Sequence, residues 1–332
     1  MQIERLIPII SENTPGRNRT CTFGSGNRCN IHFTTGAFFT GGKLFLYTLI
    51  RKQYRPALSI FATENFCPMS ESQQNQKSKV VIKIGSGVLA HEEGARLNFA
   101  MIARLTEGIA RINAAGHQVI VVSSGAVAAG LSSFDLKSRP EDTGMLQACA
   151  AAGQARLMQV YENQFSNYDL KIAQILLTLE DFGDNRRREN VVAMMSHLLR
   201  FPKVIPIVNE NDSVAVFELK FGDNDHLSSE VAQLIGADQL ILLTSVNGLL
   251  APDSTGPNDI VPVVDDVESV MNFASDNSGK LSVGGMKTKL EAIKKTVNAE
   301  IETLIASGHN PEQLLDLVEG RGIATRFAPS KK

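Results

Sequence analysis

The run Val80-Val81-Ile82-Lys83-Ile84-Gly85-Ser86-Gly87 decides the fold. Its apolar residues are continuous rather than alternating, which reads as a strand covered on both faces. The glycines that follow read as a tight turn. Downstream, Phe99, Ile102, Leu105, Ile109 and Ile112 recur at helical spacing and predict a helix over about 97–114. The next strand is 119–122, after which Ser123-Ser124-Gly125 opens a helix of small residues. Further apolar runs at 172–177, 204–208 and 240–243 read as strands, and helices are predicted near 144–166, 185–200, 226–236 and 285–298. This alternation predicts an α/β fold: a three-layer αβα sandwich with a mostly parallel central sheet. No internal repeat is visible.

The 332 residues are 43% hydrophobic, enough for a sizeable core. The formal net charge of −2 is unevenly placed. Residues 1–68 hold 8 Lys+Arg against 3 Asp+Glu, a net of +5, and the remainder holds 25 against 32, a net of −7. A body of that sign argues against non-specific nucleic-acid binding, so no nucleic acid is expected as a partner. Cys21, Cys29 and Cys67 lie in the first 68 residues and Cys149 alone in the body, with no Cys/His spacing that would hold a metal. A cytoplasmic protein is expected. The longest apolar run near the start, 44–50, is far too short for a membrane span.

Residues 1–68 differ from the rest, with seven of the sixteen Phe and no sustained period. Residues 1–78 are expected to be an extension without a fold of its own, disordered or not native, with Met69 reading as a natural start. A transit peptide and a small folded module are the rival readings. The folded domain is expected over 79–328.

Six stretches carry candidate chemistry. Lys83-Ile84-Gly85 ends the first strand, at the sheet edge where ligands of open parallel sheets bind. A lysine in an apolar strand needs an anionic partner, although a lysine snorkelling from a tight turn is the plain alternative. Ser124, after the second strand, is placed to cap a helix or to present its hydroxyl and N–H groups to a carboxylate. Asn209-Glu210-Asn211-Asp212 and Gly222-Asp223-Asn224-Asp225 are two clusters of acids and amides close in sequence. Together they suit the two ends of an amino acid, with Asx-turn and capping chemistry as the alternative. Gly284-Gly285-Met286-Lys287-Thr288-Lys289 feeds a helix, the geometry of an anion site. Lys289 in its first turn opposes the helix dipole unless an anion pairs with it. Thr244 and Ser245 leave another strand end and could line a nucleotide. Two lysines in Gly-rich settings, with acid and amide loops between them, suit phosphoryl transfer, where the protein positions groups and neutralises charge.

These pieces, in this order, resemble the amino acid kinase family across about three-quarters of the chain. The resemblance implies ATP-dependent phosphorylation of the γ-carboxylate of L-glutamate to L-glutamyl 5-phosphate, the first step of proline biosynthesis. A sibling acting on acetylglutamate, aspartate, carbamate or UMP is the near alternative, and a non-enzymatic binding protein using the basic extension the distant one. The resemblance also implies Mg²⁺, homo-oligomers and feedback inhibition by proline. The N-terminal part of the domain would bind glutamate and the C-terminal part ATP. Lys83 and Lys289 would bind the ATP phosphates, with Asp223 orienting both. Ser124, Asn209, Asp212 and Asn224 would bind glutamate. Gly85, Thr244 and Ser245 would touch the nucleotide, and Val283, Gly284, Gly285, Met286, Lys287, Thr288 and Lys289 would wrap its phosphates. No protein metal cage and no C-terminal PUA domain are expected.

Overall fold

The computed structural model describes residues 77–91, 96–215, 224–252, 254–274 and 285–329, together with two short strands nearer the start. The chain divides into two compact units, Met1–Ser72 and Gln73–Lys332. In the first unit, β1 (Cys21–Thr22) and β2 (Arg28–Cys29) pair antiparallel. Apart from this ladder and residues 77–78, the expected extension falls outside the described residues.

The second unit is built on one eight-stranded sheet. Its strands are β3 (Lys79–Ile84), β4 (Gln118–Ser123), β5 (Lys171–Leu177), β6 (Val204–Glu210), β7 (Gln239–Thr244), β8 (Val263–Val264), β9 (Glu302–Ser307) and β10 (Ala324–Phe327). They are ordered β5-β6-β4-β3-β7-β9-β10-β8. The pairs from β5 to β9 are parallel, and β10 runs antiparallel to β9. The helices used below are α1 (Phe99–Ala114), α2 (Ala126–Gly130), α3 (Thr143–Ser166), α4 (Asn185–Leu198), α5 (Asp225–Ile235) and α6 (Met286–Asn298). Asn98, Asp142 and Asp184 start α1, α3 and α4 by accepting from the backbone N–H of Met101, Met145 and Arg187. Among the described residues, no helix is long and apolar enough to cross a membrane.

Strand alternation distributes the core between the two faces. Val80, Ile82 and Ile84 join Ile109 of α1 and Leu157, Tyr161 and Phe165 of α3. Val81, Val122, Val208 and Leu242 join Val191 of α4, Val231 of α5 and Ile293 of α6. Each such side chain contributes on the order of 1.5–3 kcal/mol by leaving water. The three-layer αβα expectation therefore holds, and the predicted elements fall within about two residues of the observed ends. Strands β8, β9 and β10 of this sheet were not foreseen. Buried Thr303 interrupts the apolar run of β9, and its hydroxyl is satisfied by Thr296 Oγ1 at 2.7 Å and by Ile301 O at 3.3 Å.

Two small-residue contacts bring α2 and α3 unusually close. A Cβ on Gly153 would overlap the carbonyl oxygen of Ala126, and one on Gly130 would overlap that of Cys149. The Ser124 capping expectation is corrected here. The residue before α2 is Gly125, at φ 99°, and no side chain caps the helix. The left-handed turn favours glycine and directs Ser124 elsewhere. Gly153→Ala is expected to destabilise the fold by about 1–3 kcal/mol through overpacking, read as a lower urea midpoint. An unchanged midpoint would show that the two helices can separate without cost.

Candidate functional site

The C-terminal ends of β3, β4, β6 and β7 share one edge of the sheet, because these strands are parallel neighbours. Lys83 lies two residues beyond Val81 and so faces the α5 and α6 side. Its Nζ sits 2.6 Å from Asp225 Oδ1. Lys289 Nζ, from the first turns of α6, sits 2.9 Å from Asp225 Oδ2. Lys83 is 1% exposed, Asp225 0% and Lys289 8%. Each lysine has the anionic partner that its setting demanded, and it is the same carboxylate. Asp225 is the first residue of α5, where the helix dipole favours negative charge. By themselves the three groups carry a charge of +1.

Asp225 is the acid that pairs with both lysines; the sequence reading expected Asp223 to orient them. Asp223, Val283 and Gly284 lie outside the described residues. Gly85, between Lys83 and the first short helical turn, donates its N–H to Leu243 O at 3.1 Å. An added Cβ there would meet that same oxygen at 3.2 Å and the Lys83 amine at 3.8 Å. Thr244 closes β7 with its hydroxyl in a turn, donating to Val246 O at 3.0 Å and accepting from Val246 N at 3.1 Å. Ser245 is exposed on the same edge. Gly285 precedes α6 without a side-chain cap, and Thr288 donates its hydroxyl to Gly285 O at 2.7 Å. Met286 is half-buried and Lys287 exposed. The open N-terminus of α6 thus stands beside the two lysines.

A chain of buried amides runs sideways from Asp225. Asn224 Nδ2 donates to Ser123 O at 2.6 Å, to Ser124 Oγ at 3.3 Å and to Asn209 Oδ1 at 2.9 Å. Asn209 Nδ2 donates in turn to Gln154 Oε1 at 2.8 Å. Ser124, Asn209 and Asn224, grouped by the sequence reading, do come together, with Asp212 three residues beyond Asn209 in the adjoining cleft. That cleft offers about 230 Å³ and is lined by Ala126, Gln154, Gln174, Glu210 and Asp212 among others. Burial pushes the Asp212 carboxyl up to about 7; Glu210 adds to the rise and Arg139 opposes it. Burial in turn lowers the Arg139 guanidinium. Gln154 and Gln174 were missed from sequence, because a glutamine inside a helix or strand carries no local signal of what it faces.

The arrangement can bind an anionic chain at the lysines and the α6 N-terminus, and a small zwitterion in the cleft. Among the described residues no group of three or more His, Cys, Asp or Glu could hold a metal ion. Both Asp225 oxygens are engaged by lysines.

Residues 78–307 match the amino acid kinase family. The chain is 41% identical over 260 residues to the glutamate 5-kinase of Rippkaea orientalis, covering 77% of this chain and 70% of that one. It is 42% identical over 255 residues to glutamate 5-kinase 1 of Bacillus subtilis, covering 75% and 69%. In structure it resembles carbamate kinase from Giardia lamblia bound to AMP-PNP, with TM-score 0.53 and 16% identity over 76% of this chain and 99% of the other. Uridylate kinase from Archaeoglobus fulgidus is similar at TM-score 0.51 and 18% identity over 76% and 100%.

Proposed function

The chain belongs to the amino acid kinase family, and from that premise we propose that it transfers the γ-phosphoryl group of ATP to the γ-carboxylate of L-glutamate. The product is L-glutamyl 5-phosphate, which would open proline biosynthesis. The observation that carries this reading is the convergence of Lys83 and Lys289 on Asp225 beside an acidic, amide-lined cleft. The similarity to glutamate 5-kinases supports glutamate over the acceptors of sibling enzymes.

In the reaction a carboxylate oxygen forms a bond to the γ-phosphorus as the bond to the β,γ-bridging oxygen breaks, and ADP leaves. The obstacle is like charge: each anionic pair at ~4 Å repels by about 4 kcal/mol at an effective dielectric near 20. Lys83 and Lys289 offset this. Held from opposite sides by one carboxylate, they need no reorganisation as charge moves from nucleophile to leaving group. The N–H groups at the start of α6, with Gly285 to Lys289, receive phosphate oxygens, and Gly85, Thr244 and Ser245 line the nucleotide. Val283 and Gly284 are assigned to the same loop, and Asp223 to the same acidic cluster, on the resemblance alone. Mg²⁺ would supply further charge neutralisation on the phosphates, entering with ATP because Asp225 is already engaged. At the glutamate end Asp212 accepts from the α-ammonium, while Ser124, Asn209 and Asn224 orient the acid. A cytoplasmic, homo-oligomeric enzyme inhibited by proline completes the reading.

Lys83→Ala and Lys289→Ala are each expected to lower kcat by at least about 10²-fold, the scale of losing one preorganised charge contact, with unchanged circular dichroism. Near-normal turnover in either variant would overturn the assignment. In an ATP-consumption assay over a panel of acids, L-glutamate is expected to exceed aspartate, acetylglutamate and carbamate. Aspartate performing equally would reassign the substrate.

Asp212 adds a pH dependence. Protonated below about 7, it cannot pair with an ammonium group, so KM for glutamate should fall as pH rises through that value and then level. Asp212→Asn should flatten the profile at a high KM. A wild-type profile already flat across neutrality would remove Asp212 from substrate binding.

A further inference from the structure

The geometry points to Gln154 as a substrate-binding and specificity residue whose side-chain N–H takes the α-carboxylate of glutamate. This inference rests on the glutamate reading above. The first step concerns which way the amides point. The backbone N–H of Glu210 donates to Asn209 Oδ1 at 2.9 Å. A backbone N–H can only donate, so that atom of Asn209 is its oxygen. Asn209 Nδ2 must then face Gln154, at 2.8 Å, and the Gln154 atom that receives it is Oε1. Gln154 Nε2 is consequently fixed as the outward donor of the chain.

That donor is buried and has no hydrogen-bond partner among the described residues. Gln154 is 8% exposed and lines the cleft that also holds Glu210 and Asp212. Buried amide donors are rarely left unmet, so this one is set for a ligand acceptor.

The sheet order identifies which acceptor. The cleft lies over the ends of β5 and β6 and the start of α2, on the side of β4 away from β3. Lys83 is on β3. The γ-carboxylate must reach the lysines to react, so the α-carbon end of the substrate occupies the cleft. There Asp212 and Glu210 suit an ammonium group but repel a carboxylate. A neutral donor such as Gln154 Nε2 can hold the α-carboxylate without cancelling the pull of those acids on the amine.

The test uses the full chain and separates the two ends of the Gln154 side chain. Gln154→Glu keeps an oxygen for Asn209 and removes the donor; Gln154→Met removes both. The readouts are KM for L-glutamate, KM for ATP, and Ki for 4-aminobutyrate, which has the amine and the reacting carboxylate but no α-carboxylate. Both variants should raise KM for glutamate about tenfold or more, the scale of a lost hydrogen bond to a charged group. KM for ATP and Ki for 4-aminobutyrate should stay near wild type. A wild-type glutamate KM in Gln154→Glu, or a Ki that rises in parallel with KM, would show that Gln154 only props Asn209 and would overturn the inference. Should Gln154→Met fail to fold, Gln154→Glu decides alone. A wild-type protein that turns over another acid but not glutamate would instead sink the underlying reading, a separate outcome.

Discussion

One carboxylate shared by two ammonium groups organises this molecule. Asp225 would be costly to bury alone, and so would either lysine. Together they are tolerable because each Asp225 oxygen has its own cation, at 2.6 Å and 2.9 Å. Breaking such a cluster by removing one member leaves buried charge behind, which typically costs about 3–5 kcal/mol. The cluster also ties together the β3 strand end, the first residue of α5 and the first turns of α6. Its three members come from sequence positions roughly 140 and 64 residues apart, so it forms only when the sheet and both helices are in place. A local ionic contact thereby joins three elements that are remote in sequence.

The second constraint is neutral. From Asp225 a line of side-chain amides, Asn224, Asn209 and Gln154, crosses the ends of β4 and β6 with each donor and acceptor direction dictated by the previous one. Such a network polarises cooperatively and specifies a single arrangement. Its far end depends on the close approach of α2 and α3, since Gln154 follows Gly153, which packs against the backbone at Ala126. Helix packing through missing side chains thus sets the position of a polar group in the cleft. The charged and neutral systems divide the site: ion pairs hold one end and side-chain amides the other.

Much of this was legible along the chain. Continuous apolar runs such as 80–84 and 240–243 announce strands buried on both faces, and the helical spacing of Phe99 to Ile112 announces the covering layer. Lys83 inside an apolar strand and Lys289 in a first helical turn each demanded an anion on local grounds alone, and each has one. The acid and amide clusters marked the loops of the site. Less legible were β9 and β10, where the polar residue Thr303 is buried through a partner, Thr296, that belongs to a preceding helix.

What the sequence determined by itself was the kind of structure and the kind of chemistry: period, burial pattern and residue type are local properties, and they sufficed for a parallel αβα sandwich with cationic and acidic loops at one edge. What only the tertiary structure decided was pairing. That Lys83 and Lys289 share the carboxylate of Asp225 turns on where α5 begins relative to β3 and α6. Whether Ser124 caps α2 turns on the left-handed backbone of Gly125. Whether Gln154 offers an oxygen or an N–H turns on a backbone amide fifty-six residues away at Glu210. Distances and directions between remote groups arise from how the layers pack, and no window of sequence contains them.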